Sequence, residues 1–227
     1  MFSFFKNPPT LVNTATLQQM LEEILTPQLA QLGLTKTGKY TWHEHTVKEI
    51  RRGFSYSLLK GGSATLTWGV CLDFLPVIAG NKLVYYKPAR QYCHHLFEWP
   101  EAYSNNFLKA QTVVGGTASH WGDKEARKSI TGLFNSQLPV MKAWFNNANS
   151  IEALLAIAQK QVTIGTPYTL HHPSPDYVLA FLYARCQQPE KAIALFDSLH
   201  PSAFGNNDIL KEKIRKQLFS LAGEANK

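Results

Sequence analysis

The sequence predicts an α+β protein: an antiparallel meander sheet covered by an N-terminal helix, with a C-terminal helical lobe. Two observations carry this. Apolar residues recur at helical spacing over residues 14–32, alternate with period two over residues 39–86, and return to helical spacing after residue 123. The 227 residues are 44% hydrophobic and 12% aromatic but only 17% charged. Such a chain has ample apolar surface for a sizeable core, and its low charge density excludes global disorder.

In residues 14–32, Leu17, Met20, Leu21, Ile24 and Leu25 share one helical face. Thr16 with Gln19 has capping-box spacing, Pro27 is expected to break or kink the helix, and Gly33 suits the left-handed residue past its end. In residues 64–74 every even position is apolar, while the odd positions read Thr65, Thr67, Gly69, Cys71 and Asp73. That pattern is a strand with one face in the core and a polar face expected in water. The preceding run sets Ile50, Phe54, Tyr56 and Leu58 against Ser55 and Ser57, and Lys60-Gly61-Gly62-Ser63 joins the two as a hairpin. Tyr40 and Trp42 form a shorter strand, residues 82–86 a further one, and residues 92–98 extend the sheet. Residues 105–116 read as loop or weak strand.

After that the chain is helical. Asp123 is expected to cap a helix through Ile130, Leu133, Phe134 and Leu138, which residues 141–145 continue or follow. Asn149, Ser174-Pro175 and Asn207 mark later helix starts, and Gln187-Gln188-Pro189 joins an antiparallel helix pair. No second copy recurs at a fixed period, which argues against a repeat array. A boundary near Gly115 and Gly116 divides a sheet domain, residues 1–120, from a helical lobe, residues 121–227, whether these pack as one unit or two.

Chemistry is sparse. His43 and His45 project to one strand face, opposite Trp42, and so are expected on the solvent side. Cys93-His94-His95 is the densest soft-ligand cluster, and His171-His172 sits in a loop, but neither has zinc-site spacing. A hydrolase built on Cys93 and His95 would need a depressed thiol pKa. Ser55 and Ser57 lie within a strand and not on a nucleophile elbow, and Lys60-Gly61-Gly62-Ser63 stands between strands and not before a helix. No carboxylate pair suits acid–base work. The expectation is a protein with no cofactor, no metal and no catalytic residues. No stretch is long and apolar enough to span a membrane. The start, Met1 to Pro9, reads as a poor signal peptide, and the odd, scattered Cys71, Cys93 and Cys186 suit a reducing compartment, so a cytoplasmic location is expected.

Lysine and arginine outnumber aspartate and glutamate by 23 to 16, a net charge of +7. The excess is spread evenly: residues 1–113 carry 11 basic and 7 acidic side chains, residues 114–227 carry 12 and 9. The densest basic segment, residues 36–60, interleaves cations with Tyr40, Trp42, Phe54 and Tyr56. Single-stranded nucleic acid uses such pairs of cation and aromatic, provided the rings are exposed.

Three stretches carry a resemblance. They are Leu32-Gly33-Leu34 with Lys36, Gly38, Lys39, Tyr40 and Trp42; Leu138-Pro139 through Trp144-Phe145 and Ile151-Glu152-Ala153-Leu154-Leu155; and the pair Tyr183-Ala184 and Glu190-Lys191-Ala192. Together they resemble a bacterial family of domains of unknown function, the DUF4304 type. Leu34 stands where that family has Phe, and the Pro-to-Trp spacing is longer here. The resemblance implies an α+β fold without assigned catalytic residues, and some domains of this sort are immunity proteins of toxin systems. The expected function is therefore a protein-binding module that neutralises a partner, a toxin with an acidic surface, through the polar face of the sheet. His43, His45, Lys48, Arg51, Arg52 and Lys60 are the expected contact residues. The alternative is a single-stranded nucleic-acid binder using Tyr40, Trp42 and the same cations.

Overall fold

The computed structural model describes residues 10–46, 48–109, 115–170 and 172–224. Helix α1 (Thr14–Ala30) starts at Asn13, whose side-chain oxygen accepts from the Thr16 N–H at 3.0 Å. This satisfies one of the donors a helix start leaves open, so Thr16 and Gln19 lie inside the helix and not at its cap. The helix also runs through Pro27, because Leu17, Met20, Leu21, Leu25 and Leu29 bury its face on both sides of the proline. Packing of that face outweighs one missing backbone bond. Gly33, at φ +77°, turns the chain out of the helix as expected.

The sheet is antiparallel, in the order β1 (Thr35–Lys36), β2 (Thr41–His43), β3 (Ile50–Leu59), β4 (Ser63–Leu72). The outer edge of β4 is shared by two short strands. Residues 76–79 and 82–85 form β5 (Pro76–Ala79) and β6 (Lys82–Tyr85), which pair with each other in a separate ribbon. Residues 82–86 thus fall outside the meander expected to contain them. The ribbon is built onto the helices instead: Val77 joins their core, and the Tyr177 hydroxyl donates to the Pro76 carbonyl at 2.7 Å. The sharing strands are β7 (Leu96–Glu98), against Trp68 to Val70, and β8 (Thr117–Ser119), against Ser63 to Thr65. Between them lies helix α2 (Glu101–Lys109), which takes in residues 105–109 of the stretch 105–116 expected as loop or weak strand. Glu101 complements the helix dipole in its first turn. Residues 110–114 of that stretch lie outside the described residues, and Gly115 and Gly116 lead into β8 without regular structure.

Five further helices follow: α3 (Asp123–Asn147), α4 (Ile151–Ile164), α5 (Pro175–Arg185), α6 (Pro189–Ser198) and α7 (Asp208–Glu224). α3 is continuous through Pro139 and starts after Gly122, so Asp123 is its first residue and not its cap. α4 is capped by Ser150, which accepts from the Ala153 N–H, and not by Asn149. Asn207 caps α7 as expected, accepting from Leu210 N–H at 3.1 Å.

The even positions of β4 pass through two cores. Ala64, Leu66 and Trp68 lie with Trp42, Phe54 and Tyr56 beneath α1 and α3. Val70 and Leu72 join Leu75, Val77 and Leu96 in a second cluster closed by the helices from α4 onward. The boundary expected near residue 120 precedes α3, whose Ala126, Ile130, Phe134, Met141 and Phe145 pack into the first cluster. Among the described residues no helix is long and apolar enough to cross a membrane.

Candidate functional site

The polar face of the sheet is not in water. On it, Arg51, Gly53, Ser55 and Ser57 of β3 stand directly opposite Cys71, Gly69, Thr67 and Thr65 of β4. The chain from Tyr86 to Trp99 lies across this face as an irregular strap that ends in β7. Two facing glycines make room for it. A Cβ on Gly53 would stand 2.3 Å from the Tyr92 ring, and one on Gly69 would stand 2.2 Å from the Leu96 carbonyl and 2.9 Å from His94 Nδ1. Glycines in mid-strand often mark such a close approach, and this was the available sequence signal for the strap.

Polar groups then pair in a defined order. The Tyr92 hydroxyl donates to the Gly69 carbonyl at 2.9 Å. Having spent its proton, it accepts from His94 Nδ1 at 3.1 Å, and the same ring places Nε2 2.9 Å from the Ser55 hydroxyl. The order resembles that of a hydrolytic relay, but it terminates on a backbone carbonyl where such relays place a carboxylate to support the imidazolium. What it does here is tie the strap to two strands. Farther along, Trp99 Nε1 donates to Thr67 Oγ1 at 2.9 Å, and Thr67 pairs with Ser57 at 2.9 Å.

Two of the expected contact residues lie under this strap. His43 is 2% exposed and stacks on Tyr92 with ring centroids 5.0 Å apart. It does face away from Trp42, as expected, but that face is covered as well. Arg51 is fully buried and donates to the carbonyls of Tyr86 and Pro88 and, at 3.6 Å, to Cys71 Sγ. Both therefore hold the strap and are unavailable to a partner. Replacing Arg51 with Met is expected to cost about 1–3 kcal/mol, because the carbonyls lose their buried donor. Hydrogen exchange should show the loosening first at residues 86–95, ahead of the strands below.

Burial also sets the chemistry of the remaining groups. It pushes the Cys93 thiol up to about 12, with Cys71 beside it adding to the effect, and it raises Cys71 as well. The Cys93 thiol donates to the His94 carbonyl at 3.8 Å, while His95 Nδ1 accepts from the Leu72 N–H at 2.8 Å. A depressed thiol pKa, which the cysteine-hydrolase reading requires, is thus opposed by the environment. Among the described residues no group of three or more His, Cys, Asp or Glu side chains is placed to hold a metal; His171 lies outside them.

Burial lowers the pKa of His43, partly offset by its bond to the Glu44 carbonyl, and it lowers that of His120, whose Nε2 pairs with the Tyr56 hydroxyl at 2.8 Å. Both rings resist protonation in the fold, whereas the unfolded chain takes up protons near the ordinary value of 6.5. Their contribution is therefore complete above that pH and is lost as pH falls below it. The urea midpoint should drop between pH 7.5 and pH 5.5, and the double substitution His43→Gln, His120→Gln should flatten that drop.

The other expected contacts divide between the two ends of β3. Glu44 is 4% exposed. Burial alone would raise its pKa, but the Arg52 N–H, the Arg52 guanidinium and the Lys48 ammonium outweigh that and hold it below the usual range. Arg52 also reaches the Leu32 carbonyl at 3.2 Å and lies over the Phe145 ring at 5.6 Å. Lys48 and Arg52, with Glu49, Phe145, Asn146 and Asn149, line an open cleft of about 500 Å³. Across the β2–β3 connection, exposed His45 joins Thr35, Lys36, Thr37 and Arg90 around a second hollow of about 320 Å³. Lys60 is exposed at the opposite end, eight residues from Arg52, or about 27 Å along an extended strand. The structure therefore sets Lys48 and Arg52 on one hollow and His45 on the other, and it adds to the second Arg90, which the sequence gives no reason to place there.

These features define an α+β protein with a strapped polar face and a basic sheet end. No family model matches the chain, and neither does any curated protein or solved structure.

Proposed function

We propose that the chain is a protein-binding module whose contact surface is the basic end of the sheet, around His45, Lys48, Arg52 and Arg90, and whose partner presents an acidic surface. One observation carries this reading. In the basic segment the aromatic rings are core, with Trp42, Phe54 and Tyr56 buried and Tyr40 packed against the same cluster, while the cations stand at the rim. A rim of cations steers an acidic partner and speeds encounter. Among the described residues that line it there is no exposed Phe, Tyr or Trp ring on which single-stranded bases could stack, which weighs against the nucleic-acid alternative. The finer reading follows the resemblance of residues 32–42 and 138–155 to a family with immunity-type members: the partner is a toxin, neutralised by having its active surface covered.

A photo-crosslinking residue placed at position 48, with position 60 as control, tests the surface. The expected result is an acidic protein joined from position 48 and not from 60, whose binding in purified form is weakened by Lys48→Glu and by added salt. Adducts removed by nuclease, or tight and salt-steep binding of random single-stranded oligonucleotides, would replace this reading with the nucleic-acid one.

A further inference from the structure

We infer that the partner is read, in part, as an extended acidic segment laid along the free edge of β1, with a carboxylate side chain held by Arg90; this rests on the protein-binding reading above. β1 closes one side of the sheet, and no other strand pairs with it among the described residues. Thr37 donates to the Thr41 carbonyl at 3.0 Å, and Thr35 pairs with His43 in the same ladder. In an antiparallel ladder, bonded and non-bonded pairs alternate, so Lys36 between them turns its N–H and C=O away from β2. Its side chain is committed elsewhere, to Glu22 and, at 5.9 Å, over the Trp42 ring. The edge at Lys36 thus offers one backbone donor and one acceptor to an incoming strand, the arrangement used in strand addition.

The surroundings say what that strand carries. Thr35 and Thr37 are exposed, on the same face as His43, and with His45 and Arg90 they line the 320 Å³ hollow beside the edge. No acidic side chain lines it, and Arg90 makes no ion pair among the described residues. Lys48 and Arg52 differ in this respect, being already paired with Glu44. A planar guanidinium beside two hydroxyls and an imidazole suits a carboxylate, which accepts two parallel bonds from Arg. Side chains of an added strand alternate, so every second residue of the segment would face this hollow.

The probe is a capped, fluorescein-labelled (Glu-Val)3 peptide titrated into the full chain. Saturable binding is expected, with slowed hydrogen exchange at residues 35–37 and weakening by about tenfold or more on Arg90→Glu. Arg90 is exposed, so an unchanged melting curve should show that this variant folds. Lys60→Glu should leave binding unaltered, and a backbone N-methylated peptide of the same charge should bind more weakly. Equal losses at Arg90 and Lys60, or protection elsewhere, would overturn the inference. So would an unmethylated advantage of zero, displacement by oligo-dT, or protection of 35–37 that rises with protein concentration alone, which would make a second copy the occupant. Crosslinking from position 48 with no peptide binding would sink this inference and spare the protein-binding reading; failure of both would remove the two together.

Discussion

Trp42→Ala is expected to lower stability by about 3–5 kcal/mol, the range for removing a fully buried large aromatic side chain. Trp42 has no exposed surface, and its Nε1 donates to Thr26 Oγ1 of α1 at 3.0 Å. Its ring meets Phe54 edge-on at 5.7 Å, and Phe54 in turn meets Phe134 of α3 at 5.8 Å. One side chain thus fastens the sheet to α1 and, through Phe54, to α3. Its loss would leave a cavity at their junction and an unpaired hydroxyl, and large surrounding rings cannot close such a gap without leaving their rotamers. The denaturant midpoint should fall sharply, and Trp42→Phe should recover most of the loss because it restores packing without the hydrogen bond. The folded fraction of the variant should still bind at the basic end. A nucleic-acid platform would behave in the opposite way, losing ligand while keeping its stability.

That contrast shows which parts of the molecule the sequence makes legible. Periodicity located α1, β3, β4 and the helices after residue 123, because each buries one face and burial imposes a period. It placed Trp42 in the core for the same reason. It failed at the second face of the sheet: a polar face reads as exposed whether water or a polar strap covers it. On that basis His43 and Arg51 read as solvent-facing, yet Tyr92 encloses the first and the carbonyls of Tyr86 and Pro88 enclose the second. The strap has no period of its own, since its side chains each satisfy a different partner. β8 is invisible to this rule because three residues are too few to show alternation, and α2 because about two and a half turns of weakly apolar helix leave little pattern. Arg90 reaches the basic end only through the path of the strap, which no local rule supplies. The paired Gly53 and Gly69 were the legible trace, two residues without side chains in strands otherwise rich in them.

Gly69→Ala should be the most damaging single-methyl addition to the sheet, costing about 1–3 kcal/mol or somewhat more as an overpacked core does. Backbone strain is not the cause, since Gly69 is not among the glycines with positive φ. The cause is contact. The new Cβ would stand 2.2 Å from the Leu96 carbonyl oxygen, 2.9 Å from Phe97 Cα and 2.9 Å from His94 Nδ1. Two of these are backbone atoms of β7 or its start, and β7 is paired to β4 through Gly69 and Phe97 themselves. Relief therefore requires β7 to move off β4, which would also separate Tyr92 from the Gly69 carbonyl and His94 from Ser55. Gly53→Ala is the informative comparison: the three atoms nearest its Cβ all belong to the Tyr92 ring, so relief there moves a side chain, at the expense of its bond to the Gly69 carbonyl and its stack on His43, and not the backbone of β7. The expected order is a larger midpoint loss for Gly69→Ala than for Gly53→Ala, with hydrogen exchange faster throughout residues 92–98 in the first and near Tyr92 in the second. Equal, small losses with unchanged exchange would mean that the strap does not rest on the sheet as described.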